Sequence, residues 1–144
     1  MNRNLTELIR IFLEYLEVER NCSRLTIRNY QHYLEVLIEF LITDRKIDQP
    51  GIGDLTADNI RSFRLSLARS PGTHGEMKSV TQGYYVIALR SFLKWCVKND
   101  INCLAPEKLE VPKNQEHSLK FLDEDQMAFL DLVLYPRKDE LIAH

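Results

Sequence analysis

Between Lys78 and Asp100 the chain runs KSVTQGYYVIALRSFLKWCVKND, and this stretch constrains the fold more than any other. Val80, Tyr84, Ile87 and Ser91 fall on one helical stripe, and Leu89, Phe92 and Cys96 on a neighbouring one. A helix apolar over so much of its circumference has to be covered on several sides, which places it in the middle of a helical bundle. Its first turn is different. Lys78, Ser79, Thr81 and Gln82 are polar or cationic, and such groups at a helix start suit a phosphate or a base edge.

The rest of the chain supplies partners for that rod. Leu5, Leu8, Ile9, Phe12, Leu13 and Leu16 follow the i, i+3, i+4, i+7 spacing of one buried face, predicting a first helix over about Asn4–Arg20. Asn21-Cys22-Ser23 breaks that pattern, and Ser23 suits the N-cap of a second helix. Ile27, Tyr30, Leu34, Leu37, Ile38 and Leu41 line one face of it, and it ends near Asp44–Lys46. Ile47–Asp54, with Pro50, Gly51 and Gly53, reads as a loop. Thr56 or Asp58 opens a shorter third helix through Ile60, Phe63 and Leu67, and Ser70-Pro71-Gly72-Thr73-His74-Gly75 is a turn.

After Lys78–Asp100 as the fourth helix, Asn99–Asn102 forms the stop. Ala105-Pro106 and Val111-Pro112 mark an extended connector rather than a packed element. A short helix is predicted from Asp123, with Gln126 completing a capping box, Met127, Leu130 and Leu134 as its stripe, and Pro136 as its stop. No strand alternation and no internal repeat are visible. The expected architecture is all-α: a four-helix bundle over residues 1–105, a linker over 106–120, and a short helical segment over 121–144 that ends the chain at His144 with no further domain.

Composition excludes several classes. No apolar run approaches 18 residues, and the start MNRNLTELIR is too polar for a secretory signal, so no membrane partner is expected. Cys22, Cys96 and Cys103 lack CxxC or His-partnered spacing and read as reduced structural thiols of a cytosolic protein. The net charge of −2 is unevenly spread. Residues 1–105 carry 14 Lys and Arg against 12 Asp and Glu, a balance of +2, whereas residues 106–144 carry 5 against 9, a balance of −4. That mildly cationic first part neither demands nor forbids nucleic acid.

Catalysis finds no support. His32, His74, His117 and His144 have no metal-ligand spacing, and no GxSxG, HExxH, phosphate loop or close carboxylate pair appears. Asp123, Glu124 and Asp125 read as helix-start partners. No catalytic residue, metal site or cofactor is assigned.

Nucleic-acid binding has two candidate places. Arg24 and Arg28 recur at a four-residue step around the start of the second helix, with Arg20 before them and His32 after. Thr26 and Asn29 add hydrogen-bonding capacity beside them. Such a cluster can neutralise phosphates, or send an arginine to guanine in a major groove. It can equally be a solvated face balanced by Glu17, Glu19 and Glu35. The second place is the start of the fourth helix, where Lys78, Ser79, Thr81 and Gln82 serve either a ligand or the cap, with Ser79 as N-cap. Further along, Arg90, Lys94 and Lys98 repeat at four-residue steps, as phosphate contacts or as the wet face of the bundle.

The order of these parts carries a resemblance. SRLTIRNYQHYLEVLIEFL, then DLTADNIRSFRLSL, a Pro/Gly turn, KSVTQGYYVIALRSFLKWCVKND and the connector LAPEKLEVPK together resemble the N-terminal core-binding domain of tyrosine recombinases, the phage-integrase and Xer-type family, over about residues 4–113. The Thr26…Tyr30…Leu34…Phe40 pattern, Leu55-Thr56…Ile60 and Arg90-Ser91-Phe92-Leu93…Trp95 carry the likeness, as an ordered set rather than by one motif. The resemblance implies a SAM-like DNA-binding bundle cut short just inside a catalytic domain, whose first segment would be Lys120–Gln126. The family's arginines, lysine, histidines and nucleophilic tyrosine would lie beyond His144, and Tyr135 is not that nucleophile. The implied partners are the double-stranded DNA of a recombination site and other recombinase protomers on it, with no cofactor, in the cytoplasm at the nucleoid. The implied contacts are Arg24, Thr26, Arg28 and Asn29 on the second helix, with Lys78, Ser79, Thr81, Gln82, Tyr84 and Arg90 on the fourth. A helical protein–protein adaptor, and a truncated recombinase acting as a regulator, remain the rival readings.

Overall fold

The computed structural model describes residues 2–72, 75–76 and 79–111. Lys78, the linker beyond Val111, Tyr135 and the short helix expected from Asp123 therefore lie outside the described residues, as does the side chain of Ser79. Four α-helices account for most of the described chain: α1 (Leu5–Val18), α2 (Arg24–Thr43), α3 (Ala57–Ala68) and α4 (Ser79–Lys98). The expected all-α four-helix bundle is what forms.

Each of the first three helices starts on the side chain its sequence offers. The Asn4 and Ser23 oxygens accept the backbone N–H of Glu7 and Thr26 at the heads of α1 and α2. At α3 the choice falls on Thr56, which accepts from Asn59. Asp58 sits inside the first turn instead, paired with Arg45 at 3.3 Å and Arg61 at 2.7 Å. Ser79, expected as the N-cap of α4, is its first helical residue.

The stops share one geometry. After α1, α2 and α4 the chain swings through a left-handed residue, Asn21, Lys46 and Asp100, with φ of 53°, 59° and 59°. The N–H groups of Cys22, Ile47 and Ile101 then return to the carbonyls of Leu16, Leu41 and Cys96. This is the closure that glycine usually serves at a helix end. Here it is carried without glycine, which is why composition alone underplays these stops.

α4 is the axle. Tyr85, Val86, Ile87, Ala88 and Leu89 are buried in succession, so the helix is covered all round at this level. It touches α1, α2, α3 and a 3₁₀ turn at Pro106–Lys108. Phe12 of α1 is the ring around which one end of the core assembles, with centroids of Tyr30, Phe92 and Trp95 at 6.4, 5.5 and 5.8 Å. Tyr33, Phe40, Phe63 and Tyr85 make the other end. Because Tyr30 shares a level with Phe92 while Tyr33 meets Tyr85, α2 and α4 run antiparallel.

Three expectations need correction. The connector is packed: Leu109 is 4% and Val111 7% exposed, and Leu109 belongs to the same core as α1–α4. A Pro-flanked segment has few backbone bonds of its own, but two apolar side chains two residues apart can still reach one helix face. Second, Pro71–Gly72 and Gly75–Glu76 pair as a two-residue antiparallel ladder inside the expected turn. Third, Val80, placed on an apolar stripe, is 40% exposed, because α4 protrudes from its cover at its first turn.

The loop after α2 is clasped by the N-terminal segment. Leu5 N–H donates to the Pro50 carbonyl at 2.9 Å, Ile52 N–H to Arg3 at 2.8 Å, and Gly53 N–H to Asn2 Oδ1 at 2.7 Å. A β-carbon at Gly51 would run into the tip of the Asn2 side chain and push the clasp aside.

Candidate nucleic-acid interface

Several cations of the bundle are already answered. Arg10 is paired with Glu7 and, at 2.8 Å, with Glu14, which holds Glu7 below the usual carboxylate range and raises Arg10. Arg45 and Arg61 share Asp58. Lys98 lies over the Tyr15 ring at 5.4 Å.

Arg24 and Arg28 differ. Both are exposed, and among the described residues neither has an ion-pair partner. Glu35, a candidate for balancing this face, accepts instead from Gln31 Nε2 at 2.9 Å. Sitting one turn apart, the two guanidiniums form a cationic stripe that no ion pair among the described residues cancels.

Thr26 does not belong to that stripe. It is 1% exposed, and its hydroxyl lies 3.0 Å from Ser23 Oγ, so it is turned inward to the cap of α2. The helical period explains this: Thr26, Tyr30, Tyr33 and Leu37 share the buried face. Thr26 is a structural residue rather than a ligand contact. Asn29 is half-buried on the flank nearer α4, and its Nδ2 is buried without a hydrogen-bond partner.

Two side chains join α2 to the head of α4. The Tyr85 hydroxyl is 3.4 Å from His32 Nε2, and the two rings are 6.2 Å apart. His32 is exposed and continues the Arg24–Arg28 step by four residues. Thr81 and Gln82 stand one turn before Tyr85 and are half-buried, as is Tyr84 at the core margin. His32 and Tyr85 thus meet at the seam between α2 and α4, and because the two helices are antiparallel Arg28 and Arg24 follow that seam toward the later turns of α4, away from Thr81 and Gln82. The sequence marks His32 only as a further step of the four-residue spacing, which was the available signal, and singles out nothing at Tyr85.

Arg90 is not part of this seam. Five residues from Tyr85, it lies about 140° round the helix, on the side away from α2. It is half-buried, and its Nε is buried without a hydrogen-bond partner. Lys94 is exposed.

The thiols are quiet. Burial pushes Cys96 up to about 12, with Cys103 beside it adding to the rise, and burial also raises Cys103. Among the described residues no cluster of His, Cys, Asp and Glu is placed to hold a metal, and no helix is long and apolar enough to cross a membrane.

Comparison with known proteins gives a consistent picture. The sequence model described as "Phage integrase, N-terminal SAM-like domain" matches residues 9–100. Tyrosine recombinase XerC of Proteus mirabilis is 32% identical over 120 residues, which is 83% of this chain and 36% of that protein. Tyrosine recombinase XerC of Serratia marcescens is 32% identical over 117 residues, 81% of this chain and 36% of that protein. The XerC of Yersinia pestis is 30% identical over 123 residues, 83% and 37% respectively. The chain thus spans little more than a third of the length of these curated relatives. No solved structure matches.

Proposed function

Since this chain belongs to the family of the phage integrase N-terminal SAM-like domain, we propose that it is a duplex-DNA-binding module, the core-binding part of a site-specific tyrosine recombinase. Membership in that family implies a role in DNA recombination or integration, and it is the SAM-like part, not a catalytic domain, that is matched. The observation that carries the reading is the exposed Arg24–Arg28 stripe, which no carboxylate among the described residues neutralises and which His32 continues to the Tyr85 hydroxyl of α4.

In this reading Arg24 and Arg28 take phosphates or a guanine edge, and half-buried Asn29, its Nδ2 turned inward, flanks them as a lesser contact. Thr81 and Gln82, with Lys78, Ser79 and Tyr84 around them, approach the same groove from α4. Arg90, on the far side of α4, would serve only a strand that wraps the bundle. Cutting and rejoining would belong to the remainder of a recombinase, and neighbouring protomers on the site would be further partners.

Fluorescence anisotropy with a labelled duplex tests this. Affinity is expected to fall linearly with salt on logarithmic axes, with the slope lowered by about 0.9 for each phosphate contact removed, so Arg24→Ala and Arg28→Ala each flatten it. No binding at low salt, or slopes unchanged in both variants, overturns the assignment. A helical adaptor would behave in that first way.

A further inference from the structure

The polar residue at the junction of the two elements, His32, is used by nothing described so far. It continues the Arg24–Arg28 step, so the three side chains span about 12 Å of helix axis along one exposed edge of α2. Its ring is not loose. It lies 5.8 Å from the Tyr33 ring and 6.2 Å from the Tyr85 ring, and the Tyr85 hydroxyl meets Nε2 at 3.4 Å. With Nε2 engaged, Nδ1 is the nitrogen left for an outside partner, and the ring pays little further ordering entropy on binding.

We propose that His32 is a third DNA contact of the α2 stripe, directed to a phosphate oxygen, and that Tyr85 is the positioning residue that holds its ring. This rests on the DNA-binding reading above and deepens it.

The surroundings permit that contact. On its own helix the charged neighbours are Arg28 and Glu35, four residues before and three after, and Gln31 already donates to Glu35 at 2.9 Å. The facing turns of α4 bring the phenols of Tyr84 and Tyr85, and the chain carries no charged residue from Ser79 to Leu89. α3 reaches the seam through Phe63, 6.3 Å from the Tyr85 ring, with Arg64 beside it in sequence.

The test uses a fluorescein-labelled random-sequence duplex about three helical turns long, titrated over a range of salt at one pH. His32→Ala is expected to weaken binding by about tenfold, and His32→Arg to bind with a salt slope steeper by about 0.9. Tyr85→Phe, which keeps the ring packing but removes the hydroxyl, should weaken binding by a smaller factor, and that effect should vanish in a His32→Ala background; a purely structural tyrosine would act equally in both. Equal affinity in wild type and His32→Ala overturns the contact, and an undiminished Tyr85→Phe effect in the His32→Ala background overturns the positioning role. Failure of the wild type to bind would overturn the DNA-binding reading along with this one, a different outcome from binding indifferent to His32.

Discussion

Replacing Ser23 by alanine removes two bonds at once, and the structure says what each is worth. Ser23 Oγ accepts the Thr26 N–H at 3.1 Å as the N-cap of α2, and loss of such a cap costs about 1 kcal/mol. The same oxygen is 3.0 Å from the Thr26 hydroxyl, which is 1% exposed and cannot turn to water. Orphaning that hydroxyl adds about 1–3 kcal/mol. Ser23→Ala is thus expected to cost about 2–3 kcal/mol. Thr26→Val keeps the buried volume, forfeits one net hydrogen bond and costs about 1 kcal/mol. Combined, the two leave no orphan, so the double variant should cost little more than the lost cap. The shortfall from additivity is then about 2–3 kcal/mol, read by urea unfolding followed by circular dichroism at constant m-value. Strictly additive effects would refute the inward hydroxyl bond. So would a Thr26→Val variant that unfolds normally yet loses DNA affinity, because the hydroxyl would then face the ligand.

Leu109→Ala should destabilise by about 2–5 kcal/mol, since a side chain 4% exposed leaves a cavity against the core when truncated; a cost under about 0.5 kcal/mol would return the connector to a solvated linker. Cys96 makes stability fall with alkali: its folded thiol is held up to about 12, so the unfolded chain loses its proton first. The loss begins above the ordinary thiol range near pH 8.5, continues until the folded thiol itself titrates, and cannot exceed about 1.4 kcal/mol per pH unit. Urea unfolding at pH 8 and 10 should show this decline, and Cys96→Ala should flatten it.

The helices were legible because their cause is local and periodic. The Leu5–Leu16 and Ile27–Leu41 stripes mark α1 and α2 directly, and Asn4, Ser23 and Thr56 announce their helix starts. The all-round apolar character of α4 foretold its central place. Other features depend on residues far apart in sequence. Leu109 and Val111 look like an extended connector until α4 supplies the face they cover. The clasp of Asn2 on Gly53 links positions 51 residues apart, with no local mark.

The binding face shows the same division. Arg24 and Arg28 could be picked out by spacing, but not whether Glu35 or Gln31 would answer them. Thr26 was readable in principle, because counting 3.6 residues per turn from Tyr30 and Tyr33 puts it on the buried side. Its hydroxyl drew attention that its register should have withdrawn. Arg90 illustrates the converse: its place in a row with Lys94 and Lys98 is real, yet the row lies on the side of α4 turned from α2.

The central claim is that the α2 stripe and the head of α4 form one DNA-facing surface. Amide chemical-shift mapping during titration of the ¹⁵N-labelled chain with duplex DNA tests it most directly. The account predicts perturbations concentrated at Arg24–His32 and Thr81–Tyr85, with the Glu7–Arg10–Glu14 face of α1 and the Asp58–Arg61 turn of α3 unmoved. Perturbations centred on those two self-neutralised faces, with Arg24 and Arg28 silent, would contradict it.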